Sequence, residues 1–165
     1  MTRYVPDQEG KVWDVGAAGV VVHEGRVLLV RPTYGKANGR WVTPGGFARQ
    51  DERLDETAAR EVWEETGVRA EVLALIGVRT CHVSEGGAVF FFFLMRPLTG
   101  EVVPDGEEVD AAHYFTAEEL AAMDLNEIAA LSRAAASTAL QGKCGLQPVA
   151  CPPLSGPDYQ VFFAQ

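Results

Sequence analysis

Residues 46–68 read GFARQDERLDETAAREVWEETGV, and this stretch decides how the rest of the chain is interpreted. Good helix formers run over 54–66, acids stand in the first turn, and Gly67 is placed as a C-terminal stop. Three glutamates fall within five residues of this predicted helix: Glu61, Glu64 and Glu65. They share one helical face, and like charges at such spacings are destabilising. The pattern therefore predicts that something outside the helix offsets their repulsion.

A hard divalent cation is the best candidate for that offset. Ala59, Val62 and Trp63 occupy the opposite side of the predicted helix and are expected to pack on a sheet. The three carboxylates then face one point beyond a Gly-Gly turn at 45–46. Mg²⁺ takes oxygen ligands, usually a few carboxylates together with waters and substrate phosphates. The alternative is a solvated acidic face, which is what most charge runs on helices are.

The spacing of the residues in this stretch is more specific than the charge run alone. Gly46 is followed by five residues, Glu52, seven residues, Arg60-Glu61-Val62, one residue, Glu64-Glu65, one residue and Gly67-Val68. This arrangement resembles the signature of the Nudix hydrolases, with every fixed position matched over 23 residues. The preceding WVTPGG also resembles that family. The resemblance covers residues 15–140 and implies an α/β fold, an α/β/α sandwich with a mixed β-sheet.

The resemblance also implies an activity. It implies Mg²⁺-dependent hydrolysis, with Mn²⁺ as a substitute, of a pyrophosphate bond in a nucleoside diphosphate linked to another group, or in a nucleoside triphosphate. The implied metal ligands are the Gly45 carbonyl, Glu61, Glu64 and Glu65. A different class of function stays open, a catalytically weak module that senses a nucleotide and regulates a partner. Such modules commonly have an eroded motif, whereas this one is intact.

The resemblance assigns roles to further residues of the motif. Catalysis is expected from Glu61, Glu64 and Arg60, with Glu61 as a candidate general base. The resemblance implies that an ion pair between Arg60 and Glu52 orients the ligand set, and a purely structural role for this pair is the favoured alternative. The remaining structural positions of the motif are Gly46 and Gly67. Three acids outside it are alternative bases, although each is individually a typical solvated loop acid: Glu85, Glu107 and Glu108.

Candidate substrate-binding residues lie outside the motif or at its start. Three arginines flank the predicted cleft and are candidates for phosphate contacts, although each is individually a typical surface or structural arginine: Arg31, Arg40 and Arg79. Tyr34 and Phe47 are candidates for stacking on a nucleobase, and for Phe47 a core position competes evenly. Among the histidines, His82 is the best placed to face the cleft. The four phenylalanines at 90–93 are expected in the core.

Composition limits the classes of partner. With 14 basic and 23 acidic side chains, the formal charge is −9, which argues against a large nucleic-acid surface or an anionic membrane. The longest apolar runs have eight residues, far short of the roughly 20 that span a bilayer. The start of the sequence has no signal-peptide pattern. Three cysteines without zinc-type spacing are typical of a reducing cytoplasm, with a Cys144–Cys151 bridge as the less favoured alternative.

Pattern and turn residues predict the order of elements and one domain over 1–142. The predicted strands lie at 15–23 and 26–31, which form a hairpin, and at 41–43, 68–83, 88–95 and 111–115. The predicted helices lie at 54–66, from 117, and at about 125–140. Four of the nine prolines follow Gly142, so residues 143–165 are expected to form an extended or partly disordered arm. Its last apolar residues would pack elsewhere, and a homodimer is one way to cover them.

Overall fold

The computed structural model describes residues 12–83, 86–142, 145–149 and 161–163. Within these residues the chain forms strands and α-helices with the following bounds: β1 Val12–His23, β2 Arg26–Pro32, β3 Gly45–Phe47, α1 Leu54–Thr66, β4 Arg69–Val83, β5 Gly86–Thr99, β6 Val109–Phe115, α2 Ala117–Ala122, α3 Ala130–Leu140, β7 Gln147–Val149 and β8 Val161–Phe163. A short 3₁₀ helix, Gly35–Ala37, lies between β2 and β3.

The central sheet is mixed. Its strand order is β4-β5-β1-β2-β6, and β3 pairs with β1. Strands β1 and β5 run parallel, whereas the β4–β5, β1–β2 and β2–β6 pairs are antiparallel. The predicted hairpin at the start of the domain is confirmed, with His23 opposite Arg26 at its turn. The run around the four phenylalanines lies in β5, which has a neighbour on each side.

Alternation along the inner strands builds a separate core on each face of the sheet. Ala17 and Val21 of β1 point to the face that α1 covers, and Val62 of α1 packs among them. Ala18 and Val20 point to the other face, where they share a core with residues of α2 and α3. Adjacent side chains of a strand point to opposite faces, which produces this division. The predicted α/β/α sandwich with a mixed sheet is confirmed.

Helix α1 begins and ends where its sequence indicates. The Glu56 carboxylate accepts a hydrogen bond from the Arg53 backbone N–H at 2.9 Å, which satisfies a donor at the first turn. At the other end, Gly67 adopts a left-handed conformation with φ 71° and donates to the Trp63 carbonyl at 2.9 Å. A residue with a side chain would be strained in that conformation. The local signals for this helix are therefore sufficient to define both ends.

A close approach to β1 fixes the position of α1 on the sheet. A Cβ atom placed on Gly19 would lie 2.3 Å from Cγ2 of Val62 and 2.7 Å from Sδ of Met95. Val62 and Met95 are fully buried. The absence of a side chain at Gly19 thus lets the helix pack directly on the strand, and α1 presents its glutamates at the start of β3.

Three expectations from the pattern are wrong. The strand expected at 41–43 contributes only isolated bridges, from Trp41 to Ile128 and from Val42 to Val30, and the strand forms at β3 instead. The long helix begins at Ala130 rather than near 125, because Ile128 is drawn into that bridge. Trp63, expected to pack on the sheet, is 48% exposed, and the Arg69 guanidinium lies over its ring at 5.4 Å.

Part of the predicted C-terminal arm is described. Leu146 exchanges two backbone hydrogen bonds with Leu75 of β4, at 2.7 and 2.9 Å, and β7 pairs antiparallel with β8. Cys144 and Cys151 lie outside the described residues, so the bridge between them stays a prediction, as does the boundary at 142. Cys81 is free and exposed. Within the described residues, none of the helices has the length and apolarity to cross a membrane.

Candidate active site

Gly45 and Gly46, expected as a turn, instead begin strand β3 and lie against the acidic face of α1. Strand β3 pairs with β1 so that Gly46 is opposite Ala17, on the strand that α1 covers. A Cβ atom on Gly46 would lie 2.4 Å from Oε1 of Glu61. The Gly45 backbone N–H donates to Oε2 of Glu65 at 3.1 Å. Glycine at 46 therefore makes room for the Glu61 carboxylate, whereas glycine at 45 lets β3 pack closely on Ala17 and Ala18 of β1.

Arg60 organises the carboxylates from its central position. Its Nε and Nη2 atoms donate to the two oxygens of Glu52 at 2.9 and 2.7 Å. Its Nη1 atom donates to Oε1 of Glu61 at 2.7 Å and to Oε2 of Glu64 at 2.8 Å. Nη2 also donates to the Phe47 carbonyl at 3.2 Å. The Arg60 side chain is 14% exposed, and its hydrogen bonds to Glu52 are the main reason that the pKa of that carboxyl is lowered to about 2.

The glutamates of α1 occupy two different environments. Glu61 and Glu65 are 9% and 6% exposed, respectively. Burial raises the pKa of Glu65 to about 8, with the Glu61 charge as the next cause. Burial also raises the pKa of Glu61, although Arg60 opposes the shift. Glu64 is 37% exposed and pairs with Arg60 and with Arg49, whose Nη2 atom lies 3.1 Å from Oε1 of Glu64.

The carboxylates are not assembled as one ligand group. Among the described residues, no three His, Cys, Asp or Glu side chains converge on a common point. Oε1 of Glu61 and Oε2 of Glu64 are instead turned towards the Arg60 guanidinium. The donor set is nevertheless entirely oxygen, and two of its carboxylates are buried beside each other with raised pKa values. A hard divalent cation suits that chemistry, since it would compensate the buried negative charge.

A cleft of about 610 Å³ opens in front of the buried glutamates. Of the residues predicted to bind metal or substrate or to act as a base, the following line it: Tyr34, Gly45, Phe47, Glu61, Glu65, Arg79 and Glu108. Gly46 also lines it. Tyr34 and Phe47 are 59% and 66% exposed, so both rings are available to a ligand. The Arg79 guanidinium lies over the Phe90 ring at 5.7 Å.

None of the remaining predicted substrate residues lines the cleft, and neither remaining alternative base is found there among the described residues. Arg31 pairs with Asp110 at 2.7 Å and lies over the Trp41 ring at 5.6 Å, and Arg40 donates to the Lys36 carbonyl at 2.5 Å. His82 is exposed on β4 and does not line the cleft. Neither does Glu107, whose carbonyl accepts a hydrogen bond from Thr33. Glu85 lies outside the described residues.

Glu108 reaches the cleft from the segment that precedes β6. Oδ1 of Asp105 accepts hydrogen bonds from the backbone N–H groups of residues 107, 108 and 109, at 2.9 to 3.0 Å. The Tyr34 hydroxyl donates to Oε2 of Glu108 at 3.3 Å. The Glu108 charge contributes to the raised pKa values of Glu61 and Glu65, so the three carboxylates interact.

Sequence reasoning missed Lys36, Phe90 and Arg49. Lys36 and Phe90 line the cleft, and Arg49 binds Glu64. Lys36 lies between the predicted strands at 26–31 and 41–43, where a cation just before the motif was an available signal. Phe90 was interpreted as a core residue, and only the sheet geometry shows that it borders the cleft. Arg49 occupies a position that the spacing pattern leaves free.

Comparison with known proteins identifies the family. A profile described as the NUDIX domain matches residues 13–135. The chain belongs to the Nudix family. Solved Nudix structures share its fold: a MutT Nudix hydrolase from Burkholderia pseudomallei has a TM-score of 0.66 at 23% identity, covering 76% of this chain and 96% of that one. A Nudix hydrolase from Nitrosomonas europaea has a TM-score of 0.67 at 25% identity, covering 79% and 71%.

The proteins that this Nudix chain resembles in sequence differ from it and from one another in length, and they carry different names. Nudix hydrolase 8 of Arabidopsis thaliana is 32% identical over 125 residues, which are 69% of this chain and 34% of that protein. The MutT-like protein of Streptomyces ambofaciens is 41% identical over 107 residues, 64% of this chain and 66% of that protein. Phosphatase NudJ of Escherichia coli is 34% identical over 111 residues, 64% and 70%. The chain thus spans less than two thirds of the first two relatives.

Proposed function

We propose that this Nudix chain hydrolyses a pyrophosphate bond in a nucleoside diphosphate linked to another group, or in a nucleoside triphosphate, with Mg²⁺ or Mn²⁺. One observation carries the proposal. Glu61 and Glu65 are buried beside each other at Gly45 and Gly46 of β3, in a cleft that also presents cationic and aromatic side chains. Names of relatives support it, among them the ADP-ribose pyrophosphatase of Methanocaldococcus jannaschii, which is 27% identical over 103 residues.

The carboxylates of α1 are the proposed metal ligands. Glu61, Glu64 and Glu65 would hold the cation together with the Gly45 carbonyl, and Arg60 would keep the first two in position. A bound divalent cation would supply charge neutralisation for the diphosphate and a lower pKa for a water molecule. Glu52 holds Arg60 through both of its oxygens, so its contribution is to orient the set. The intact motif favours this enzyme over a module that only senses a nucleotide.

The remaining cleft residues fit a nucleotide. The exposed rings of Tyr34 and Phe47 offer two apolar faces to a base. Arg79 and Lys36 would supply positive charge for phosphate oxygens, because both line the cleft and Arg31 and Arg40 do not. The proposed general base is Glu61, a residue of the motif that lines the cleft. Glu108 is the alternative base within the described cleft.

A substrate panel tests the proposal. The purified chain is incubated with nucleoside triphosphates, nucleotide sugars, ADP-ribose and dinucleoside polyphosphates, each with Mg²⁺, with Mn²⁺ and with excess EDTA. We expect release of a nucleoside monophosphate with at least one substrate, and none in EDTA. Tight binding without turnover would favour the sensing module. Turnover that persists in excess EDTA would contradict the metal-dependent mechanism.

Location and oligomeric state complete the proposal. We propose a cytoplasmic protein, from the cysteine spacing and the composition, and a homodimer, from the apolar residues at 159–163. Fractionation of cells that express the chain, and light scattering of the purified protein, test the two statements. A monomer at all protein concentrations would contradict the dimer without affecting the hydrolase.

A further inference from the structure

Glu64 binds two guanidinium groups that are anchored very differently. Arg60 contacts it at 2.8 Å and is 14% exposed, with further hydrogen bonds to Glu52, Glu61 and the Phe47 carbonyl. Arg49 contacts the two oxygens of Glu64 at 3.1 and 3.5 Å and is 59% exposed. The Arg49 backbone N–H donates to Oε1 of Glu52 at 2.8 Å, so its main chain is held while its side chain is not.

We propose that Arg49 is a displaceable counter-cation, which pairs with Glu64 while no metal is bound and, once a divalent cation takes that carboxylate, binds phosphate oxygens of the substrate. The inference rests on the proposed function, because it needs Glu64 to be a ligand. It assigns a substrate-binding role to a residue at a position that the motif spacing leaves free. It also explains how an exposed glutamate of the set is neutralised in the metal-free chain.

Arg49 rather than Arg60 must be the group that leaves. Withdrawing Arg60 would leave Glu52 and Glu61 without their partner, and both are half-buried or buried, so the loss would be strongly destabilising. Withdrawing Arg49 breaks one exposed ion pair, and such pairs are weak because water replaces the partner at little cost. A divalent cation carries twice the charge of a guanidinium and therefore competes well for the carboxylate.

The chemistry of the released group determines its next partner. A guanidinium presents a planar set of donors that matches two phosphate oxygens at once. Arg49 does not itself line the cleft, but it follows Phe47, which does, by two residues, and it contacts Glu64 on the helix that carries the cleft residues Glu61 and Glu65. The chain has a net charge of −9, and a cation close to the acidic set would favour the approach of an anionic ligand.

The first half of the exchange is tested without catalysis. Mn²⁺ is titrated into the full-length chain, and free Mn²⁺ is followed by electron paramagnetic resonance, for the wild type, Arg49→Gln and Arg69→Gln. Arg69→Gln removes the same charge from a guanidinium that lies over Trp63, so it controls for net charge. We expect Arg49→Gln to bind Mn²⁺ about two- to fivefold more tightly than Arg69→Gln, which corresponds to the loss of one exposed competitor.

The second half is tested with ADP as the probe, by calorimetry on the Mn²⁺-saturated chain. Arg49→Gln should bind ADP severalfold more weakly than wild type. Arg49→Lys should recover part of the lost affinity, because lysine keeps the positive charge but cannot donate to two phosphate oxygens with a planar guanidinium. An Arg49→Gln variant that binds Mn²⁺ no more tightly than Arg69→Gln overturns the exchange, and so does ADP binding that is unchanged from wild type. A wild type that binds no Mn²⁺ overturns both the proposed function and this inference. A wild type whose Mn²⁺ affinity equals that of Arg49→Gln overturns this inference alone.

Discussion

The burial of Glu65 leads to a prediction about stability in the absence of metal. Its pKa rises from 4.5 to about 8 in the folded chain. Between these values the folded state binds more protons than the unfolded state, so stability is fully present below pH 4.5 and falls as the pH rises to 8. Each pH unit in that window costs about 1.4 kcal/mol, which limits the penalty to about 5 kcal/mol at pH 8.

Glu65→Gln removes that penalty, because the amide does not ionise and its oxygen can still accept the Gly45 N–H. Urea unfolding in EDTA at pH 5, 6, 7 and 8 should therefore show similar free energies of unfolding at pH 5 and a variant more stable by roughly 2–5 kcal/mol at pH 8. Glu118→Gln, at an exposed position in the first turn of α2, removes the same charge and serves as the control.

The same variant should respond weakly to a cation. Because the metal binds the folded cluster far better than the unfolded chain, wild type should gain about 2.7 kcal/mol at a hundredfold excess over Kd, and Glu65→Gln should gain less. If the difference in free energy of unfolding between wild type and Glu65→Gln were the same at pH 5 and pH 8, the reasoning would be refuted. A wild type that is unaffected by millimolar Mn²⁺ and Mg²⁺ would also refute it.

Three further predictions concern the motif. Glu64→Gln should lower kcat by a factor on the order of 10² or more in steady-state assays with Mg²⁺, because it would lose a major electrostatic contributor. An unchanged kcat would show that Glu64 is not a metal ligand. Gly46→Ala should abolish both turnover and the Mn²⁺-induced rise in Tm, because its Cβ would lie 2.4 Å from Oε1 of Glu61; retention of both would contradict the direct contact. The Glu52 ion pair stabilises the fold above pH 4.5, and this stabilisation is lost as the pH falls towards 2. The free energy of unfolding of Glu52→Gln should therefore change less over that pH range than that of wild type. Parallel curves for the two proteins would count against the pair.

Local signals account for what could be predicted of the fold. Helix α1 was defined by its composition and by Gly67, since both act within a few residues. The interior strands were defined by apolar runs that the sheet buries on both faces. The errors at 41–43 and 125–129 share one cause, because Trp41 and Ile128 form a bridge between segments that are remote in sequence. A pairing of that kind has no local pattern.

In the candidate site, too, features set by local sequence could be predicted and features set by remote contacts could not. The resemblance to the Nudix signature implied the Arg60–Glu52 pair, and helical spacing predicted that the three glutamates face Gly45 and Gly46. Glu61 and Glu65 contact these glycines but are also buried, which the pattern did not predict, and Glu64 pairs with arginines instead. The substrate side depends on partners far along the chain. Arg31 is held by Asp110, 79 positions away, and Tyr34 reaches Glu108, 74 positions away. Which arginine faces the cleft is therefore set by tertiary contacts, which the sequence pattern does not contain.

The most direct test of the central claim follows the oxygen of water into the products. The best substrate from the panel is hydrolysed with Mg²⁺ in ¹⁸O-water, and the products are separated and weighed by mass spectrometry. Attack on a pyrophosphate bond predicts a single ¹⁸O atom on phosphorus, in either the nucleoside monophosphate or the other phosphorylated product. Label on a sugar carbon, with an unlabelled diphosphate, would show that a glycosidic bond is broken instead and would contradict the account.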